Sequence, residues 1–225
     1  MKRAILIGTA VLVTGIITTA AAFGPELLAG YRFMNNLDRY YVNYEANGGS
    51  WPQIQDSCAN CHGANGQSKN GQFAALSGQP VSYLRGQLHA FAEGRRPSAQ
   101  MAPLASNLSD EQIQTLAEYF SRQPVRITEA PEPDAALAKR GEAAVAANGC
   151  VACHGEKLSG SPLAPRIAGQ GERYLLDQLH AFRQGQRKDP NQAMNAIATL
   201  LSDDDARATA HYLSSLSPGR PSGAQ

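Results

Sequence analysis

Strong charge of either sign is missing from this sequence: 20 Lys and Arg stand against 19 Asp and Glu, a formal net charge of +1. No long run of like charge occurs either. There is no electrostatic case for nucleic-acid binding and none for strong long-range steering of a charged partner. Aromatic residues make up only 7% of the chain, with a single Trp. Alternating apolar and polar runs long enough for a strand are absent, which leaves the all-α class. Cysteine is scarce, and all four cysteines lie in two C-x-x-C-H motifs, so no thiol is left for a structural disulfide elsewhere. A length of 225 residues means one large domain or two small ones. A domain of about 80 residues has poor surface-to-volume terms and generally needs a metal, disulfide or cofactor to complete its core.

What is present begins at the N-terminus. Lys2 and Arg3 precede a stretch from Ala4 to Phe23 that carries no charge. Its length, about 20 residues at about 1.5 Å each, is enough to cross a ~30 Å hydrocarbon core. The positive-inside rule puts Lys2 and Arg3 in the cytoplasm and the chain after Phe23 outside it. Residues 1–23 are therefore a transmembrane anchor or a signal peptide cut near Ala20-Ala21-Ala22. The length of the run favours the anchor, and Gly24-Pro25 is expected to end it. In residues 24–49, Phe33, Leu37, Tyr40, Tyr41 and Tyr44 recur at helical spacing. That segment reads as a helix packed on the chain's own first domain, or as a juxtamembrane helix with an interfacial aromatic belt or a dock for a membrane complex.

The remainder is an internal duplication. Cys58, Cys61 and His62 match Cys150, Cys153 and His154, and Ser77-Gly78-Gln79 matches Ala168-Gly169-Gln170. Gln87-Leu88-His89-Ala90-Phe91 recurs unchanged as Gln178-Leu179-His180-Ala181-Phe182, Met101 falls opposite Met194, and Leu108-Ser109-Asp110 opposite Leu201-Ser202-Asp203. The offset drifts only between 91 and 93 residues, which suits two tandem domains. The expected boundaries are 50–126 and 136–217, joined by an acidic, proline-rich linker at 127–135 and followed by a disordered tail at 218–225. In each copy Leu84, Leu88 and Phe91, or Leu175, Leu179 and Phe182, mark a helix that Gly94 or Gly185 stops. A second helix opens with the capping box Ser109-x-x-Gln112, of which Ser202 to Asp205 is a weaker version.

Four chemistries use C-x-x-C. A zinc ribbon places its halves about 15–20 residues apart, whereas 88 residues separate Cys61 from Cys150. A thioredoxin-like redox pair needs an α/β context that is absent, and a disulfide framework leaves the histidine unexplained. Covalent c-type haem attachment explains the histidine and the export signal together. Residues i, i+3 and i+4 share one helix face, so both thiols can meet the vinyl groups while the imidazole lies beneath the iron. Two c-type haems are therefore expected, on Cys58, Cys61 and His62 and on Cys150, Cys153 and His154. Met101 and Met194, 39 and 40 residues after their histidines, are the only methionines downstream of either motif within its repeat. Lone methionines at matching positions in polar loops favour iron ligation over core packing. His89 and His180 also repeat, and are the rival ligands. His211, placed opposite Tyr119, is not expected to serve both halves.

These motifs together, C-x-x-C-H-G, the Gly-Gln turn, the Tyr-Leu-x-x-Gln-Leu-x-x-Phe helix, an x-Gly-x-Arg stretch, a lone Met and a Leu-Ser-Asp helix, each twice, resemble the dihaem cytochrome c4 family over residues ~50–216. The resemblance implies two class I cytochrome c domains related by an approximate two-fold, each with a His/Met haem, with the propionates close together at the interface. It implies periplasmic electron transfer from a quinol-oxidising complex or other donor to a terminal oxidase or similar acceptor, with no substrate bond made or broken. A cytochrome subunit of a larger membrane complex and a dihaem peroxidase-type enzyme are the alternatives. In the family a proline carbonyl orients the axial histidine. Pro165 fits that place, but Ala74 stands there in the first half, where looser geometry is expected. Arg166, a candidate propionate partner, faces Ala75. The first domain is also expected to lack the regular first helix that Ala136–Ala147 forms in the second: Gly48-Gly49 and Pro52 leave only a short one, capped by Ser50-x-x-Gln53.

Overall fold

The computed structural model describes residues 2–45, 53–128, 131–162 and 164–218, and every regular element among them is helical. The Ser50 cap and the tail beyond Pro218 lie outside the described residues. The chain divides into two compact units, residues 1–51 and 52–225.

The first unit is one helix, α1 (Lys2–Glu45), 44 residues long with Pro25 inside it. The expected stop at Gly24-Pro25 does not occur. A proline removes one backbone bond and tends to kink a helix, and the long helical patterns on both sides outweigh that loss. Val13–Arg39 is long and apolar enough to cross a membrane, and Val13, Ile17, Phe23 and Leu27 are exposed. The hydroxyls of Thr18 and Thr19 donate back to the carbonyls of Thr14 and Gly15 at 2.8–3.0 Å, so neither asks for water. The aromatic positions share this helix. Tyr31 and Phe33 are exposed, while the side chains of Tyr40, Tyr41 and Tyr44 lie outside the described residues.

The second unit contains both repeats. The first has a 3-10 turn (Ile54–Cys58), then α2 (Ala59–His62), α3 (Val81–Ala92), α4 (Met101–Ala105) and α5 (Asp110–Arg122). The second has α6 (Ala135–Ala147), α7 (Val151–His154), α8 (Glu172–Arg183), α9 (Ala193–Leu200) and α10 (Asp203–Ser215). Ahead of α2 the described residues hold the 3-10 turn, whereas the second repeat has the 13 residues of α6; Gly48-Gly49 and Pro52 lie outside the described residues. Asp56 tightens that turn by accepting the Gln53 N–H at 2.9 Å. Asp134, near the end of the linker, caps α6 by accepting the Leu137 N–H at 2.9 Å.

Both apolar stripes bury as their spacing requires. Leu84 packs with Leu116, Ala117, Tyr119 and Phe120, and in the second repeat Leu175 packs with Val145, Leu158, Ala210 and Leu213. The Ser109 box on α5 closes fully: Ser109 Oγ accepts the Gln112 N–H at 3.2 Å and Gln112 Oε1 accepts the Ser109 N–H at 2.9 Å. On α10 only half forms. Ser202 Oγ accepts the Asp205 N–H at 3.1 Å, while the shorter Asp205 side chain takes the Ser202 hydroxyl at 2.6 Å and Arg140 at 2.8 Å.

A reciprocal exchange joins the repeats. Gln79 Nε2 donates to the Arg166 carbonyl and Gln79 Oε1 accepts the Arg166 N–H, both at 2.9 Å. Gln170 does the same to Ala75, at 2.8 and 2.9 Å. Gln79 corresponds to Gln170 and Ala75 to Arg166, so one contact is made twice about a pseudo-two-fold axis. Both glutamines are buried.

Two predictions follow from this packing. α6 crosses α10 at Gly141, where a Cβ would lie 2.1 Å from the Ala208 carbonyl oxygen and 2.6 Å from Tyr212 Cβ. Gly141→Ala is expected to push the helices apart and cost about 1–3 kcal/mol, read as a lower denaturant midpoint of the haem-loaded protein. Gln170→Leu removes the partner of a buried N–H and a buried carbonyl at Ala75. It is expected to cost roughly 2–4 kcal/mol, taking about 1–3 for each orphaned group with partial relief by relaxation, in the same denaturation measurement.

Candidate functional site

Each C-x-x-C-H motif forms one helical turn that ends at its histidine, α2 in the first repeat and α7 in the second. The chain then leaves through a glycine in the positive-φ region, Gly63 at 76° and Gly155 at 82°. A Cβ on Gly63 would stand 2.1 Å from the Gln67 carbonyl oxygen, which explains why the motif continues to glycine. In each pair one thiol is partly buried (Cys58, Cys150) and one is exposed (Cys61, Cys153), and none is in a disulfide. Burial pushes the Cys58 and Cys150 thiols above their ordinary pKa.

The histidines are held alike. His62 Nδ1 donates to the Ala74 carbonyl at 2.8 Å and His154 Nδ1 to the Pro165 carbonyl at 2.7 Å, the Nδ1–H tautomer being assigned from these partners. The looser geometry expected at Ala74 is therefore not found, because the acceptor is a backbone carbonyl that either residue supplies. Burial lowers both imidazole pKa values, opposed by the bond to the carbonyl. The result is a neutral ring with its Nε2 lone pair available, the form that ligates a metal.

Met101 and Met194 do not lie in loops. Met101 opens α4, with its N–H bonded to Ser98 Oγ at 3.1 Å, and Met194 is the second residue of α9. α4 packs on α3 and α9 on α8, so the two methionines occupy matching places in the repeats. Met194 also touches the apolar cluster of Ala144, Leu179, Leu201 and Ala206. The rival histidines have other partners at matching positions: His89 Nε2 lies 3.9 Å from Asp110 and His180 Nε2 4.0 Å from Asp203, the first residues of α5 and α10. His211 is buried, with Nδ1 3.1 Å from Glu172 Oε2. The Phe120 and Leu213 carbonyls accept from Gly78 and Gly169 respectively, which sets His211 opposite Glu118 and Tyr212 opposite Tyr119, one residue from the alignment read in sequence.

The seam between the repeats gathers the Arg of each x-Gly-x-Arg stretch and the Tyr and Gln of each Tyr-Leu-x-x-Gln-Leu-x-x-Phe helix, residues to which the motifs assign no separate role. Arg96 donates to Gln87 of its own repeat at 2.6 Å and to Gln178 and Tyr174 of the other at 2.9 and 3.2 Å. Arg187 reverses the pattern, donating to Gln178 at 2.7 Å and to Gln87 and Tyr83 at 2.9 and 3.1 Å. Each guanidinium lies over its own repeat's phenylalanine, 4.6 Å from the Phe91 centroid and 4.5 Å from the Phe182 centroid. The signal was the pair Gln87 and Gln178, polar residues repeated within the apolar helix motif. Arg166 is the third cation of the seam. Among the described residues no carboxylate forms an ion pair with any of the three. The excess positive charge acts on Tyr174: burial pushes its phenol up, but Arg96 and Arg187 outweigh that and bring it down to about 8.

These residues fit a haem in each repeat. A paired set of thiols, a neutral imidazole oriented by its carbonyl and a thioether at a matching place are the donors that the group needs. Seam cations with no carboxylate partner among the described residues suit propionates.

Comparison with known proteins agrees with this geometry. The family model described as "Cytochrome c" matches residues 138–217, and "Cytochrome C oxidase, cbb3-type, subunit III" matches residues 52–120. A thiosulfate dehydrogenase electron acceptor of Stutzerimonas stutzeri (strain A1501) is 38% identical, over 75% of this chain and 82% of that protein. Cytochrome c4 of Pseudomonas aeruginosa is 34% identical, over 71% of this chain and 83% of its own. The crystal structure of reduced recombinant cytochrome c4 from Pseudomonas stutzeri superposes with a TM-score of 0.66 at 31% identity, over 72% of this chain and 94% of that one. A buried histidine bonded to a carbonyl behind each C-x-x-C-H turn, found twice in one all-α chain with these relatives, makes it a member of the cytochrome c4 family, an electron-transfer protein with two c-type haems.

Proposed function

We propose that thioether bonds from Cys58 and Cys61 hold one haem, with His62 and Met101 as axial ligands, and that Cys150, Cys153, His154 and Met194 do the same for the second. The observation that carries this reading is the matched pair of imidazole–carbonyl bonds, at 2.8 and 2.7 Å. Haem iron would supply one-electron exchange, and His62 with Met101, or His154 with Met194, would hold it through the change of charge. The protein holds each ring by two sulfurs, orients the imidazole, and sets the potential by burial and by a neutral thioether, which raises it relative to a second imidazole. Residues 50–126 and 136–217 form the two haem domains, and 127–135 joins them.

The chain acts on the periplasmic face of the inner membrane, tethered by the uncleaved residues 1–23 within α1. Support comes from the apolar span Val13–Arg39 and from Lys2 and Arg3 ahead of it. A net charge of +1 provides little steering, so a tether supplies encounter frequency through effective concentration. Electrons pass from a quinol-oxidising complex or another donor to a terminal oxidase or similar acceptor. A relative named as a thiosulfate dehydrogenase electron acceptor favours a periplasmic dehydrogenase of small sulfur oxyanions as a second kind of donor. A stable place inside a membrane complex is the alternative to a free tethered carrier.

Met101→Ala and Met194→Ala are each expected to abolish one of two methionine-to-iron charge-transfer bands in the near infrared and to lower one of two reduction waves. Loss of neither band, or a wild-type wave at a low bis-histidine potential, would show the ligand set to be wrong. Cell fractionation with N-terminal sequencing is expected to find the intact N-terminus in the membrane fraction. A soluble protein beginning near Phe23 would overturn the anchor. Co-migration with integral-membrane subunits in mild detergent would favour the complex over the free carrier.

A further inference from the structure

The two methionine helices are held by different means. In the second repeat, side chains on both sides of Met194 tie α9 to the end of α8. Arg183, in the last turn of α8, donates from Nε to the Ala198 carbonyl at 3.1 Å and from Nη2 to the Leu201 carbonyl at 2.7 Å, and its Nη1 pairs with Asp203. Asn195, next to the methionine, donates from Nδ2 to the Phe182 carbonyl at 2.7 Å and to the Arg187 carbonyl at 2.8 Å. Its Oδ1 accepts the Asp189 N–H at 3.0 Å, and the Asp189 carboxylate accepts the Ala193 N–H at 3.0 Å. Gln192, the residue ahead of α9, sits at a φ of 56°. A non-glycine residue stays in that sparsely populated region only where its surroundings fix it.

The first repeat lacks the two anchoring side chains. Ala92 stands opposite Arg183, and Ala102 opposite Asn195. α4 is 5 residues long against 8 in α9. Among the described residues, the side-chain hydrogen bonds of residues 98–107 stay within that segment: Ser98 to the Met101 N–H, and Ser106 and Asn107 to the Pro103 carbonyl. Both methionine helices nonetheless pack on the helix before them. The extra bonds therefore decide how firmly the methionine is kept, and not where it lies. A segment with fewer ties to its neighbours opens at lower cost.

Resting on the His/Met reading above, we infer that Arg183 and Asn195 are positioning residues that keep Met194 on its iron, and that the first haem, which has neither, is the one whose methionine yields to an incoming neutral nitrogen ligand. Such a ligand enters only where the methionine segment has swung away, so its apparent affinity reports that fraction of molecules. The exchange breaks the bond to the Met101 sulfur and forms one to a nitrogen lone pair, and neither an electron nor a proton moves. Nitrogen in place of a thioether lowers the potential. The first haem is thus the adjustable one of the pair, and the second is fixed.

The test is a titration of the oxidised, haem-loaded protein with imidazole, read by loss of the methionine-to-iron charge-transfer bands, with amide hydrogen exchange of α4 and α9 measured beside it. Two phases are expected, the later one needing about tenfold more imidazole, the order that one or two additional net hydrogen bonds provide. Met101→Ala, which keeps only the Met194 band, is expected to show the later phase alone, and Met194→Ala the earlier. Arg183→Ala and Asn195→Ala give the second repeat the residue that the first already carries. Each is expected to move the later phase about fivefold toward the earlier one, to leave the earlier phase in place, and to speed exchange of the α9 amides. Arg183→Lys keeps the charge beside Asp203 without the fork that reaches two carbonyls, and is expected to recover only part of the shift. A single phase, an earlier phase that belongs to Met194, or equal movement of both phases in Arg183→Ala would overturn the inference. If Arg183→Ala fails to load haem, Asn195→Ala still decides, since an unmoved later phase would leave Asn195 a structural role. A wild-type protein without two methionine-to-iron bands would instead sink the underlying His/Met reading.

Discussion

A buried imidazole must place its Nδ1 proton on an acceptor, and much of this structure is arranged around that requirement. His62 uses the Ala74 carbonyl and His154 the Pro165 carbonyl. The residue after each acceptor is gripped at both its N–H and its carbonyl (Ala75) or at its carbonyl and N–H (Arg166) by a glutamine of the other repeat. The two histidines are thus one peptide unit away from the joint between the repeats. A change at the joint acts on the ligand shells directly, without a relay through the apolar cores.

The joint is polar. A seam of glutamine, tyrosine and arginine is worth having only if its members are paired, because an unpaired buried polar group costs about 1–3 kcal/mol. Most are paired here, and by exchange, with Arg96 and Arg187 each bridging Gln87 to Gln178. The exceptions gather at Arg166 and Ser77. A seam with three cations and, among the described residues, no carboxylate paired to them suits carboxylates that belong to the cofactors.

The two halves are duplicated but unequal. The second has a regular first helix locked by Gly141 against α10, while the first has a 3-10 turn and is preceded by a helix of 44 residues. The C-x-x-C-H turns are kept alike in both.

The sequence by itself determined the chemistry and the helices. Cysteine spacing, a four-then-three apolar pattern and a capping box are local features, and a duplicated chain states them twice. The His62, Cys58, Cys61, His154, Cys150 and Cys153 turns are legible for that reason. Local features also misled: Gly24-Pro25 reads as a stop, yet α1 continues through it, and the methionines read as loop residues, yet both lie in the first turn of a short helix. A proline's penalty is local, and the surrounding helical residues decide whether it is outweighed. Only the tertiary structure decided which polar residues matter. Gln79, Gln87, Arg96 and Tyr174 stand in motifs that the sequence repeats and Arg166 stands out beside Ala75, but their partners lie about eighty to a hundred residues away, because the pairing of buried polar groups is settled across an interface that a linear pattern does not encode.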